Sequence, residues 1–202
     1  MNVPVIPRLS LALLAVAASG CSLGIATVSA PDINCRFDHD CTITVEDSVG
    51  AIPVPFGSGE GRLQSRTQPP GEAGTPGAGL FAYEYRVDLT AVGGLTAQIC
   101  VNELSLDFGP IERLDYDRDG DLDHVYVVTG GGLGSVAPSS AHRSGDRVTF
   151  SFSPGVCPGN APGNGETSYF FGLASQHPAQ PVTATVSFSD GSTAAVPARA
   201  PN

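Results

Sequence analysis

The 202-residue sequence contains no lysine and no tryptophan, and a single methionine. Without lysine there is no Gly-Lys-Ser/Thr spacing for a phosphate-cradling loop. No dinucleotide glycine fingerprint follows a strand-like run either, so nucleotide chemistry has no motif to rest on. Cation is also scarce: ten arginines stand against twenty acidic residues, for a net charge of −10 and a pI near 4.6. That balance excludes DNA, RNA and an anionic membrane surface as electrostatic partners. Beyond the first residues no apolar stripe of period 3.6 appears, which removes helical bundles and coiled coils. Absence of Trp, with five Tyr, leaves little flat aromatic surface on which to stack a sugar. The missing lysine, together with 25 Gly and 17 Pro, reads as the coding bias of a GC-rich, bacterial genome.

One apolar run is present at the N-terminus. Arg8 leads into LSLALLAVAA, residues 9–18, which is too short to span a bilayer as a helix and reads as a secretion signal. Ala18-Ser19-Gly20-Cys21 follows directly and resembles the bacterial lipobox. The resemblance implies cleavage before Cys21 and lipidation of that cysteine: a signal peptide over 1–20, a tether over 21–34, and an outer-membrane or cell-surface address. A competing cut after Val28-Ser29-Ala30 would instead release a secreted, soluble chain, although Pro31 is a poor residue just beyond such a site.

Export to an oxidising compartment suits the cysteines. With Cys21 set aside, Cys35, Cys41, Cys100 and Cys157 form an even set, from which two disulfides are expected. Three pairings are open; the favoured one joins Cys35 to Cys41 as a local loop and Cys100 to Cys157 as a long-range staple. An alternative for CRFDHDC, residues 35–41, is a metal site using both thiolates and His39.

Period-two alternation dominates the remainder. In LFAYEYRVDLT, residues 80–90, Phe81, Tyr83, Tyr85, Val87 and Leu89 share a core face, and Ala82, Glu84, Arg86 and Asp88 a wet one. Similar runs are CTITV (41–45), LTAQICVNELSLDF (95–108), HVYVVT (124–129), RVTFSFS (147–153), SYFFGLAS (168–175) and VTATVSFS (182–189), with Gly, Pro, Asn and Asp between them. The expected fold is all-β: a disulfide-stapled, antiparallel two-sheet sandwich of jelly-roll or Ig-like type. Its division is a short Cys-closed β segment over 35–56, a Gly/Pro-rich mobile loop or linker over 57–79, and the sandwich over 80–198. The connection 153–167, pinned by Cys157, is expected to be ordered.

The densest chemistry is DYDRDGDLD, residues 115–123, which puts an aspartate at every second position. Asp115, Asp117 and Asp119 take positions 1, 3 and 5 of a calcium loop, Gly120 position 6, Asp121 position 7 and Asp123 position 9. Alternate side chains of a tightly curled segment converge on one centre, and glycine permits the bend. Position 12, a bidentate Glu in an EF-hand, is Tyr126, and a strand follows in place of a helix. LDYDRDGDLDHVYVV therefore resembles the strand-loop-strand calcium loops of FG-GAP and related extracellular repeats. The resemblance implies Ca2+ held by Asp115, Asp117, Asp119 and Asp123 with the Asp121 carbonyl. Water, Asp107 or Glu112 would complete the shell. The opposing reading is a solvated acidic turn with Arg113 and Arg118 as counter-charges.

Hydrolase signatures are missing: there is no Gly-x-Ser-x-Gly elbow and no His-Glu-x-x-His, and His39, His124, His142 and His177 lack partner spacing. His124 is expected to face solvent at a strand start. A glycosidase would need two facing carboxylates, for which Glu84, Asp88, Glu103 and Asp107 are available, but all four are expected as outward, solvated acids. TGGGLGS, residues 129–135, is expected to be a flexible connection that could also bring bare backbone to a ligand. FAYEYRVDLT and SYFFGLAS resemble the β-sandwich modules of secreted bacterial proteins that carry varied sorting anchors. The chain closes on AVPARAPN with no apolar helix or sorting motif, so the membrane enters only through the N-terminal lipid. The sequence thus points to an exported, lipid-anchored calcium sandwich that binds a glycan or protein or plays a structural part at the cell surface. A secreted polymer-acting hydrolase and a subunit of an extracellular assembly are the alternatives.

Overall fold

A computed structural model of the chain describes residues 20–42, 44–55, 57–95 and 98–201. Apart from Gly20, the predicted signal peptide lies outside the described residues. The elements run β1 (Cys21–Ser22), β2 (Ile25–Ser29), α1 (Ala30–Asn34), β3 (Glu46–Ile52), β4 (Gly61–Thr67), β5 (Phe81–Asp88), β6 (Val101–Asp107), β7 (Val125–Gly130), β8 (Ser140–Ser144), β9 (Arg147–Val156), β10 (Phe170–Ser175), β11 (Ala179–Phe188) and β12 (Thr193–Pro201). They form two six-stranded sheets, β1-β8-β9-β6-β11-β12 and β2-β7-β10-β5-β4-β3. The fold is the expected all-β sandwich. It is antiparallel except at one edge, where β2 runs parallel to β7.

The alternation that marked the strands builds the core. Tyr83, Tyr85 and Val87 of β5, Leu104 and Leu106 of β6, Phe150 of β9, Phe171 and Leu173 of β10 and Val186 of β11 are completely buried between the sheets. Phe150 and Phe171 pack with ring centroids 4.7 Å apart, and Tyr83 meets Phe108 edge-on at 5.3 Å. The two core tyrosines keep their hydroxyls paired by reaching the rim, Tyr83 donating to the His177 carbonyl at 2.6 Å and Tyr85 to that of Arg199 at 2.7 Å. The staple Cys100–Cys157 and the local bridge Cys35–Cys41 both form, in the favoured pairing. With both sulfurs of CRFDHDC bonded to each other, the thiolate metal site is ruled out.

A second apolar cluster covers the outer face of the β2-containing sheet. Ala82, Tyr126, Val128, Phe170 and Ala174, which alternate with core residues along their strands, meet Ala26 and Val28 of β2, Ile33 of α1, Phe37, Leu114 and Tyr116. Here expectation fails: the face of β5 read as wet is shut in at its centre, with Ala82 fully buried and Glu84 only 5% exposed. The cover is Ile33 of α1, Leu114 and Tyr116 ahead of β7, and Phe37 of the segment that the Cys35–Cys41 bridge closes, which is hydrogen-bonded through Phe37 and Arg36 carbonyls to Glu72 and Gly77.

Four further corrections concern where the regular structure lies. Residues 57–79, read as a mobile loop, contain β4, placed between β3 and β5. Its inward positions Gly61, Leu63, Ser65 and Thr67 are buried, and only Leu63 carries a large apolar side chain, so apolar periodicity did not show it. The supposed tether 21–34 holds β1, β2 and α1. In CTITV, residues 42, 44 and 45 are not strand and Ile43 lies outside the described residues; pairing starts at Glu46. Strands β8 and β12 were not anticipated. Strand β12 carries Pro197 and Pro201, tolerated because it is an edge strand whose missing N–H groups face away from β11.

Candidate functional site

The acidic segment is a closed loop entering β7. At its base Leu114 and Asp123 pair through both backbone hydrogen bonds, at 3.0 and 2.9 Å. Within it the chain curls through two side-chain turns, the Asp119 N–H donating to Asp117 Oδ1 at 3.4 Å and the Asp121 N–H to Asp119 Oδ1 at 2.8 Å. Arg118 (φ 70°) and Gly120 (φ 94°) take left-handed backbone. A Cβ on Gly120 would touch nothing, so glycine serves that angle and not a close approach.

The curl brings Asp115, Asp117 and Asp119 together, one carboxylate oxygen from each lying within 4.8 Å of the others. Oxygens bonded at 2.3–2.6 Å to a common calcium ion stand at most about 5 Å apart, so this spacing fits a hard cation. Asp115 supplies a second sign of fit: its Oδ1 is shielded from solvent and has no hydrogen-bond partner. The carboxylates of Asp121 and Asp123 stand outside that cluster; of these only the Asp123 carboxylate was expected as a ligand, Asp121 being expected to contribute its backbone carbonyl. Asp121 lends its N–H to Asp119, and the Asp123 carboxylate packs on Gly24, where a Cβ would come within 2.6 Å of Asp123 Oδ1. Desolvation first, and then Asp117, Asp119 and Asp121, raise the Asp123 pKa. Neither proposed extra ligand is free, since Asp107 pairs with Arg147 at 3.4 Å and Glu112 accepts from Gln176 at 3.0 Å.

Of the expected counter-charges, Arg113 is spent on the Leu122 carbonyl. The positive charge behind the loop belongs instead to Arg36, buried, with Nε donating to the Tyr116 carbonyl at 3.1 Å. Burial and Arg118 lower its pKa while Asp115 and Asp117 raise it. Arg36 comes from CRFDHDC, far off in sequence, and no spacing rule could have found it. His124, expected to face solvent, is half-buried with Nδ1 unpartnered; burial, then Arg113 and Arg143, depress its pKa.

A second place of interest was not foreseen. Glu84 lies mid-sheet on β5, cross-strand from Arg66 and Gly172. It borders a cavity of about 180 Å³ lined also by Ile33, Arg66, Val128, Gly131, Gly132 and Phe170. Its Oε1 accepts long hydrogen bonds from Tyr126 (3.3 Å) and Gln68 (3.4 Å). Burial pushes its pKa up to about 7, against the pull of Arg66 and Tyr126. Both arginines near it are engaged elsewhere: Arg66 with Asp47 and Arg86 with Asp88, each at 2.9 Å, while both guanidinium groups lie on the Phe170 ring. Gly131 and Gly132 of TGGGLGS thus line this cavity.

The carboxylate pair that a glycosidase needs does not form among the four acids considered. Glu84 lies under the second cluster on one outer face. Glu103 and Asp107 are exposed on β6 of the other sheet, and Asp88 is held by Thr90 and Arg86. Tyr83 and Tyr85 are core residues, as expected, and the exposed large hydrophobics among the described residues are Val49, Leu122 and Leu133, none aromatic. Comparison with protein-family models, curated proteins and solved structures found no match to the chain.

Proposed function

We propose that this is an exported, lipid-anchored β-sandwich protein whose loop 115–123 binds calcium as a structural ion, and whose role at the cell surface is binding or structural. The observation that carries the ion is the convergence of three carboxylates within 4.8 Å around an aspartate oxygen that has lost water and gained no donor. Without a cation these groups repel one another in a partly desolvated loop; a hard divalent ion supplies the charge that Arg36 only partly offsets. Asp115, Asp117 and Asp119 would hold it. Fixing them fixes the Leu114–Asp123 base, and with it the start of β7 and the cover over the outer face. With few protein oxygens the affinity belongs in the weak extracellular range, Kd of roughly 10⁻⁴ to 10⁻³ M.

Thermal melting with calcium against chelator tests the reading. Calcium at 100 times Kd, roughly 10–100 mM for that affinity, adds about 2.7 kcal/mol if it binds the folded state alone, and no shift at that concentration returns the loop to a solvated acidic turn. The surface partner is a glycan or a protein, and a binding screen of the folded chain in calcium identifies it. The hydrolase alternative draws on the raised pKa of Glu84 but lacks a facing second carboxylate. The assembly alternative asks for a hydrophobic open edge, whereas β3 presents Glu46 and Asp47 and β12 presents Pro197 and Pro201.

A further inference from the structure

Cys21 is already a strand residue. It stands opposite Arg143, and Ser22 opposite His142, in the β1–β8 ladder. The next residue, Leu23, donates its N–H to the Ala141 carbonyl at 2.9 Å and is buried. All of β2 then pairs with β7, burying Ala26 and Val28, and Ser29 caps α1 by accepting from the Asp32 N–H at 3.3 Å, which sets Ile33 into the same cluster. A cut after Ala30 would strip off β1, β2, the helix cap and three buried aliphatic side chains. It would also leave β7 as an unpaired edge, a loss comparable with the whole net stability of a domain.

We infer that the export cut falls immediately before Cys21, and that residues 21–34 are not a tether but the mount by which the β1–β8 edge sits directly on the bilayer. This rests on the lipid-anchored reading above. A lipid on the first residue of an edge strand leaves no slack chain between acyl groups and fold, so phospholipid headgroups meet whatever flanks β1. Those flanking groups are His142 and Arg143 of β8, with Arg113 and His124 close by and Asp146 paired with Arg143 at 3.6 Å, so this edge is polar and escapes the acidity of a chain of net charge −10. Arg143 is held in place by the Gly145 and Gly109 carbonyls at 2.7 and 3.0 Å. Asp123, packed on Gly24, brings the acidic loop to the same side.

The full chain, expressed in an export-competent bacterium, provides the test. Intact mass of the detergent-extracted protein reads its first residue and any acyl modification. Elastase treatment of the membranes, followed by N-terminal sequencing of anything released, reads the slack. The expected results are a lipid-modified chain beginning at Cys21 and no folded soluble fragment beginning within residues 22–34. A variant with a Gly/Ser linker inserted between Cys21 and Ser22 should, under the same conditions, be shed intact. Release of a folded fragment starting within 22–34 from the unaltered protein overturns the mount and leaves the anchor standing. An exported soluble chain beginning at Pro31 overturns both mount and anchor but not export. A chain retained in the cytoplasm with its leader overturns all three.

Discussion

Tyr126 lies across the outer face of its sheet and donates its hydroxyl to Glu84 Oε1 at 3.3 Å, in a space that exists because residue 172, next to Glu84 on the neighbouring strand, is glycine. A Cβ at Gly172 would stand 2.5 Å from the Tyr126 ring and 2.4 Å from the Tyr83 carbonyl. Gly172→Ala is therefore expected to cost about 2–3 kcal/mol in chemical denaturation, as overpacking against backbone does. Tyr126→Phe should not rescue it, because a ring carbon and not only the hydroxyl is in the way.

Glu84 sets a pH dependence. Its folded pKa of about 7 lies above the ordinary 4.5, so the folded state binds the proton more tightly than the unfolded one. The stability this confers is complete below pH 4.5 and is lost as pH rises through 7. The loss amounts to about 3 kcal/mol, taking 1.36 kcal/mol per pH unit. Glu84→Gln, which cannot ionise, should flatten the melting curve across that window relative to the parent protein and be the more stable of the two at pH 8. Parallel pH dependences in the two proteins would show that Glu84 is solvated.

The acidic loop distinguishes its own members. Calcium at 100 times Kd should raise the midpoint by about 5–10 °C for a domain of this size. Asp115→Asn and Asp119→Asn should each remove most of that rise. Asp121→Asn should leave it largely intact, since that side chain stands outside the cluster. Equal losses in all three variants would mean that calcium responds to net charge and not to a built site.

The two disulfides close loops of very different length, 57 and 6 residues apart. Loop-closure reasoning gives about 4 kcal/mol for Cys100–Cys157 and about 2 kcal/mol for Cys35–Cys41. Replacing each pair with alanine and measuring denaturation midpoints should reproduce that order. Loss of the shorter bridge should also bring the titration of Glu84 back toward the ordinary carboxylate range, since it loosens the cover over the outer face.

Much of this architecture was legible wherever side chains alternate cleanly. Tyr83, Tyr85 and Val87 announced both strand and inward face, and the inner faces of β9, β10 and β11 read the same way. Strand β4 was hidden because, of its inward residues Gly61, Leu63, Ser65 and Thr67, only Leu63 has a large apolar side chain. Strand β12 was hidden because its prolines are tolerated only at an edge, a position that depends on the other eleven strands. For the acidic loop, the spacing of Asp115, Asp117 and Asp119 predicted a convergence that the curl produces. Nothing local indicated that Asp123 would turn to Gly24 or that Arg36 would stand behind the loop.

Taken alone, the sequence determined what is periodic or compositional: a β-sandwich, an acidic surface, two disulfides, and a loop with carboxylates at every second position. These follow from alternation, charge count and spacing, which are properties of neighbours along the chain. Only the tertiary structure decided which outward faces meet water. Once α1 and the Gly131–Gly132 turn close over the β2-containing sheet, beside the segment joined by Cys35 and Cys41, Glu84 loses its solvent and residues 21–34 become part of the wall. Burial on that face is set by what packs from far away in sequence, and no local pattern encodes it.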